Sequence, residues 1–228
     1  MSEHNFSDIT ALDSALAERI CDQLRSAINA RGQATLVLSG GSTPKGLFAH
    51  LSSTPLAWEK VTILLADERW VAATHLDSNE RLVRETLLTE CAASANFLSL
   101  VEHYPASDIN LVAVNAALAK LGQFDVVILG MGTDGHTASL FPCSAELNDG
   151  LTTDAAALMI TPTTAPHRRI SLSKQRLRHS MMGSLHIVGE GKREALAAAH
   201  ASGDMQQYPI LNFVSEAPAF DIWWAPNS

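Results

Sequence analysis

FDVVILGMGTDGHTASLFP, residues 124–142, joins a strand-like segment to a polar, glycine-rich turn. A short apolar, largely β-branched run (124–130) ends abruptly in glycine, as does a strand buried on both faces of a parallel sheet. Polar residues crowd in directly after it. Gly130-Met131-Gly132-Thr133-Asp134-Gly135 satisfies the dinucleotide pattern G-x-G-x-x-G. Such a site also needs a helix packed tightly behind the glycines and an acidic residue ending the next strand. Here Asp134 lies inside the turn, where its charge would repel a pyrophosphate. Pro142 interrupts any helix, and Asp154 precedes the next apolar run instead of ending it. A nicotinamide or flavin site is therefore not expected. The glycines instead let the backbone curl so that Asp134 and His136 project from the strand end.

Outward from this strand the same alternation continues. ATLVLS (34–39), VTILLA (61–66), ALMIT (157–161), SLHIVG (184–189) and FDIWWA (220–225) are short apolar runs. Helical periodicity fills the intervals at 13–32, 78–92, 108–122 and 190–202, with Ser78 and Asp108 placed to cap N-termini. Alternating β and α predict an α/β fold with an open, mostly parallel sheet and helices on both faces, a Rossmann-like three-layer sandwich. No linker, repeat or low-complexity segment divides residues 1–228, so one domain is expected. The long irregular stretch at 142–156 reads as a surface excursion.

Of the 228 residues 46% are hydrophobic, enough for a full core, and no apolar run approaches the roughly 20 residues of a membrane span. The N-terminus MSEHNFSDIT has no basic-then-apolar leader pattern, so a cytoplasmic location is expected. Three scattered cysteines form neither a disulfide framework nor a zinc motif. A net charge of −8 argues against nucleic acid or a membrane surface as partner. Against that background residues 166–193 carry seven Lys/Arg and the single acid Glu190, which points to a local anion site. The expected partner is a small anionic molecule, and the expected assembly a monomer or small homo-oligomer.

In open α/β sheets ligands lie beyond the carboxyl ends of the strands. Three chemically loaded loops leave such ends: Ser39–Pro44, Asp67–Arg69 and Gly130–Pro142. Gly40, Gly41, Ser42 and Thr43, followed by Pro44 at a helix start, have the parts of a phosphate cradle. The loop misses the Walker pattern, and it misses the nucleophile elbow G-x-S-x-G by one residue. His136, two residues from Asp134, has the parts of a general base with an orienting acid. Arg69 offers a fixed positive charge for an oxyanion. A serine hydrolase relay of Ser42, His136 and Asp67 is an alternative, as is a sugar-phosphate sensor without catalysis. No second ligand stands at metal spacing near His136, so no metal and no cofactor are expected.

SGGSTP, ADERWV followed by Ser78-Asn79, GMGTDGHTASLFP, RRISLS and GEGKREAL together resemble, in order and spacing, the 6-phosphogluconolactonases. The resemblance implies hydrolysis of 6-phospho-D-glucono-1,5-lactone, the second step of the oxidative pentose phosphate pathway. It implies His136 as base, Asp134 as its partner and Arg69 at the oxyanion. It also implies Arg169 and Lys192 on the phosphate, with Gly40, Gly41, Ser42, Thr43 and Asp67 lining the substrate site. The related glucosamine-6-phosphate deaminase/isomerases share the glycine-rich loop and the DGH turn. Their pattern reads D-E-Y where this chain has Asp67-Glu68-Arg69, and it carries a glutamate where this chain has Phe141. Phenylalanine moves no proton, so the lactonase reading is preferred over a deaminase-like enzyme.

Overall fold

The computed structural model describes residues 2–101 and 108–227, with the side chains of 108 and 109 outside that description. In chain order the elements are β1 (Glu3–Asn5), α1 (Ile9–Arg31), β2 (Ala34–Leu38), α2 (Lys45–Ser53), β3 (Val61–Leu65), β4 (Asp67–Arg69), α3 (Asn79–Thr86), β5 (Asn96–Leu98) and α4 (Asp108–Leu118). There follow β6 (Phe124–Leu129), α5 (Leu147–Thr152), β7 (Ala157–Ile160), β8 (Arg169–Leu172), α6 (Lys174–Arg178), β9 (Ser180–Val188), α7 (Glu190–Ser202), α8 (Leu211–Val214) and β10 (Asp221–Ala225).

Seven strands form one parallel sheet in the order β1-β10-β9-β6-β2-β3-β5, flanked by helices. The chain builds outward from β2 to β3 and β5, then returns to lay β6 on the other side of β2. The sheet therefore reverses direction between β2 and β6, and at such a switch point the diverging loops leave a crevice above the carboxyl ends. All six residues of β6 are buried, five of them apolar and the sixth Asp125. At the opposite end of the same two strands, the buried Asp125 carboxylate accepts the Thr35 N–H at 2.8 Å and pairs with Arg31. Helix α1 presents Leu12, Leu16, Ile20, Leu24 and Ile28 to the core at four-residue spacing. It starts on Asp8, whose side chain accepts the Ala11 N–H, and stops at Gly32 in the left-handed region.

The run at 157–161 departs from expectation. It forms β7 in a second, antiparallel sheet of order β4-β8-β7, not a strand of the main sheet. A four-residue apolar run reads alike in either setting, and β7 is buried only at its two ends. Asp67–Arg69, expected as a loop, is strand β4. The chain leaves the main sheet at Ala66, whose N–H still bonds Leu38 while its carbonyl already accepts Leu172 N–H. The helix expected over 78–92 ends at Thr86 and is followed by a 3-10 turn at Glu90–Ser94. Ser78 caps α3 through the Arg81 N–H. The capping role expected of Asp108 lies outside the described residues. The irregular stretch at 142–156 contains the short helix α5.

Candidate active site

Above the β2/β6 switch point lies a cleft of about 390 Å³, the size of a small-metabolite site. It is lined by all three loops singled out from the sequence, with Arg169 and Lys192 added from β8 and α7. The two central loops are tied together, since Ser39 N–H donates to Ile128 and Gly130 N–H donates to Ser39 Oγ.

The turn after β6 is folded on itself. Gly132 N–H donates to the His136 carbonyl at 2.8 Å, and Gly135 N–H, at a φ of 79°, donates to Gly132 at 3.0 Å. Asp134 Oδ1 and His136 Nδ1 thereby meet at 2.6 Å. A β-carbon on Gly132 would stand 2.2 Å from that ring nitrogen and 2.4 Å from that oxygen, so the pair can close only over glycine. Burial pushes the Asp134 carboxyl up, but the hydrogen bond and charge of His136 outweigh it and hold the group below the usual carboxylate range. With Nδ1–H donating its hydrogen bond to the ionised carboxylate, the basic lone pair resides on Nε2. His136 lies flat against the buried Phe141, ring centres 4.0 Å apart at 25°.

Two guanidiniums face this turn's neighbourhood from the small sheet, where Arg69 and Arg169 are register partners. Arg69 Nη1 donates to the Asp77 carbonyl at 2.9 Å and to Asn79 Oδ1 at 2.7 Å. Asn79 in turn donates to the Asp67 carbonyl. Arg169 donates through Nη2 to the Pro166 carbonyl at 3.1 Å and lies 5.8 Å from the Phe141 ring centre. The Nε of each arginine is buried without a hydrogen-bond partner. A buried guanidinium with spare donors is a ready anion site. Burial lowers the Arg169 pKa, with Asp67 as the leading opposing influence. Its neighbour Arg168 is exposed and does not line the cleft.

Lys192 enters from the first turn of α7 and donates to the Met131 carbonyl at 2.7 Å. Burial draws its pKa down, and Asp134 opposes this. In the β2 loop a β-carbon on Gly40 would lie 2.0 Å from Asn79 Oδ1, so glycine is needed for that close approach. Ser42, Thr43 and Gly41 complete the wall, and Pro44 precedes α2, its carbonyl accepting the Phe48 N–H. Asp67 also lines the cleft, but its carboxylate accepts the Ser139 hydroxyl while His136 is taken by Asp134. The relay of Ser42, His136 and Asp67 is thus not assembled.

Three contributors were not visible as such in the sequence. Asn79 links Arg69 to the β4 backbone, and Phe141 is the platform under His136. Glu68 points away from the cleft, its buried carboxylate accepting Ser78 Oγ and the N–H groups of Arg69, Asn79 and Glu80. It organises the loop and the start of α3; burial pushes its pKa up. The capping Ser78 before Asn79 was the only local signal.

The family model for glucosamine-6-phosphate isomerases/6-phosphogluconolactonase matches residues 7–223. The chain belongs to this family. Within the isomerase/lactonase family it is 41% identical to a 6-phosphogluconolactonase of Pseudomonas putida, over 98% of this chain and 92% of that protein. It is also 41% identical to one of Rhizobium meliloti, over 98% of both. A crystal structure of a 6-phosphogluconolactonase from Shewanella baltica superposes with a TM-score of 0.96 at 44% identity, covering 99% of this chain and 97% of that one. A monomeric glucosamine-6-phosphate deaminase shares the family fold, with a TM-score of 0.81 at 15% identity, covering 99% of this chain and 97% of that one.

Proposed function

We propose that this chain hydrolyses 6-phospho-D-glucono-1,5-lactone to 6-phospho-D-gluconate. One observation carries the reading: a His136–Asp134 pair in the same cleft as two guanidiniums, the buried Arg169 and the half-buried Arg69, each with an unpartnered Nε among the described residues. His136 Nε2 takes a proton from water as the oxygen attacks the lactone carbonyl, and the Asp134 carboxylate stabilises the imidazolium that forms. Arg69, already oriented by Asp77 and Asn79, receives the developing oxyanion. Collapse of the tetrahedral intermediate breaks the bond to the ring oxygen, which takes the proton back from His136. Arg169, Lys192 and the Gly40–Thr43 loop hold the phosphate and set the carbonyl against the base.

The relatives named above as 6-phosphogluconolactonases support the reading. So does Phe141, which stands where the deaminase pattern puts a proton-shuttling glutamate. Deamination must move hydrogen between two carbons and open a ring, whereas a lactone arrives with an electrophilic carbonyl. The purified protein should accelerate loss of 6-phosphogluconolactone above its spontaneous opening in water. It should release no ammonia from glucosamine 6-phosphate. Ammonia release at a rate comparable to lactone opening would overturn the choice.

A further inference from the structure

Outside the cleft, the fold gathers His75, Asp77 and His167, whose candidate ligand atoms all lie within 4.8 Å of one another. His75 and Asp77 sit just before α3, and His167 just before β8. His167 Nε2 lies 2.9 Å from Asp77 Oδ2, and His75 Nδ1 lies 3.8 Å from the same oxygen. The two rings meet edge to face at 5.5 Å. His167 adopts a φ of 66°, a left-handed conformation disfavoured by a β-carbon, with its ring directed at Asp77. His75 Nδ1 accepts the Asp77 N–H at 3.1 Å and is therefore the unprotonated ring nitrogen.

We infer that His75, Asp77 and His167 form a binding site for a divalent transition-metal ion. Two imidazole nitrogens and one carboxylate oxygen are the donor set of Zn²⁺ and its neighbours, not of Mg²⁺ or Ca²⁺, which take oxygen. Bonds of about 2.1 Å in tetrahedral geometry put ligand atoms about 3.4 Å apart, so the widest separation need close by at most about 1.4 Å while the 2.9 Å pair opens by about 0.5 Å. The side chains of His75 and Asp77 are about half exposed and free to make that adjustment. The ion would replace the hydrogen bonds now made to Asp77 Oδ2 and His75 Nδ1. Its effect follows from what the two segments carry: Arg69 leans on the Asp77 carbonyl and Arg169 on the Pro166 carbonyl. A bound ion ties together the two backbone segments on which the cleft's guanidiniums rest. Binding itself does not depend on the hydrolytic reading.

The test titrates metal-free protein with Zn²⁺ by calorimetry and with Co²⁺ by visible absorption. One ion per chain should bind, with a Co²⁺ spectrum of mixed nitrogen and oxygen ligation. His75→Ala, Asp77→Asn and His167→Ala should each weaken binding by more than about a hundredfold, beyond the loss expected for an outer partner. His136→Ala and Cys143→Ser should bind as the parent does, which excludes the other cleft-side donors as the true site. His75→Gln serves if the alanine variant does not fold. Binding that survives His75→Ala and His167→Ala, or that disappears in His136→Ala, overturns the inference; so does the absence of saturable binding.

Discussion

His136 is held at two points, through Nδ1 by Asp134 and through its ring face by Phe141. Replacing it with alanine removes the proposed base but none of the proposed anion-holding groups. The kcat of His136→Ala should fall by about 10²–10⁴, the usual yield of positioned general-base catalysis, with little change in KM. Single-turnover kinetics, corrected for spontaneous lactone opening, measures this. At the other end of the substrate, a charge-assisted hydrogen bond contributes about 1.5–3 kcal/mol, so Arg169→Ala and Lys192→Ala should each lower kcat/KM by about tenfold to more than a hundredfold. The slow hydrolysis of unphosphorylated gluconolactone should barely change. An equal loss on both substrates would place these residues in the chemistry or the fold. At this scale the sequence was informative where motifs gather: Asp134, His136 and Arg69 were picked out one by one, and the fold pairs the first two and places His136 and Arg69 at one cleft. Asn79 and Phe141 were not, because their importance lies in contacts with residues distant in the chain.

Elements set the precision of these contacts. Helix α1 sends Asp13 into the protein, where its Oδ1 lies 3.1 Å from His186 Nε2 of β9. Both side chains are almost wholly buried, and His186 also lines the floor of the cleft. A β-carbon on Gly46, in the first turn of α2, would be 2.1 Å from Asp13 Oδ2. One carboxylate thus meets three elements, α1, α2 and β9, directly beneath the proposed phosphate loop. Asp13 Oδ1 and His186 Nε2 are in ion-pair range but not aligned as a hydrogen bond, so Asp13→Ala removes a buried carboxylate facing an imidazole and should cost about 1–3 kcal/mol. A lower urea midpoint with an unchanged slope would register it, and an unchanged midpoint would show that water or a neighbour replaces the carboxylate. Patterning along the chain located most of the strands and helices, since apolar runs and capping residues report on local burial. It could not locate β1, β4 or β5, which are only three residues long, too short for any periodicity to declare itself. Nor could it assign ALMIT to the smaller sheet, because which sheet a strand joins depends on partners elsewhere.

Across the whole molecule, two thiols, Cys143 and Cys21, report on different depths. Cys143 has its thiol pushed up by burial but pulled down further by hydrogen bonds from Thr164 and Thr163, to about 7. Cys21 lies in the core on α1, and burial pushes its thiol up to about 11. Alkylation of the native protein at Cys143 should therefore rise with pH around a midpoint of about 7, as the thiolate forms. Cys21 should react only when the molecule unfolds, so its labelling rate reads the global stability. Rapid labelling of Cys21 under native conditions would contradict the packing of α1 on the sheet. The parallel order of the large sheet was legible in outline from alternation alone. The position of the switch point between β2 and β6 was not, since strand order leaves no trace in periodicity.

That switch point sits above strands whose lower ends are fastened by Asp125, Thr35 and Arg31. Along one axis the molecule separates what keeps it folded from what it reacts with. Every group proposed for substrate or chemistry emerges from the upper rim, on loops, on the small antiparallel sheet or in the first turn of α7. Changes there leave the fastening untouched, so the frame tolerates replacement of its upper vocabulary. A glucosamine-6-phosphate deaminase has the same architecture at only 15% identity, so this frame accommodates a very different sequence. For the engineer the corollary is practical: new carbonyl substrates are best sought by exchanging rim loops, with the lower fastening carried over intact.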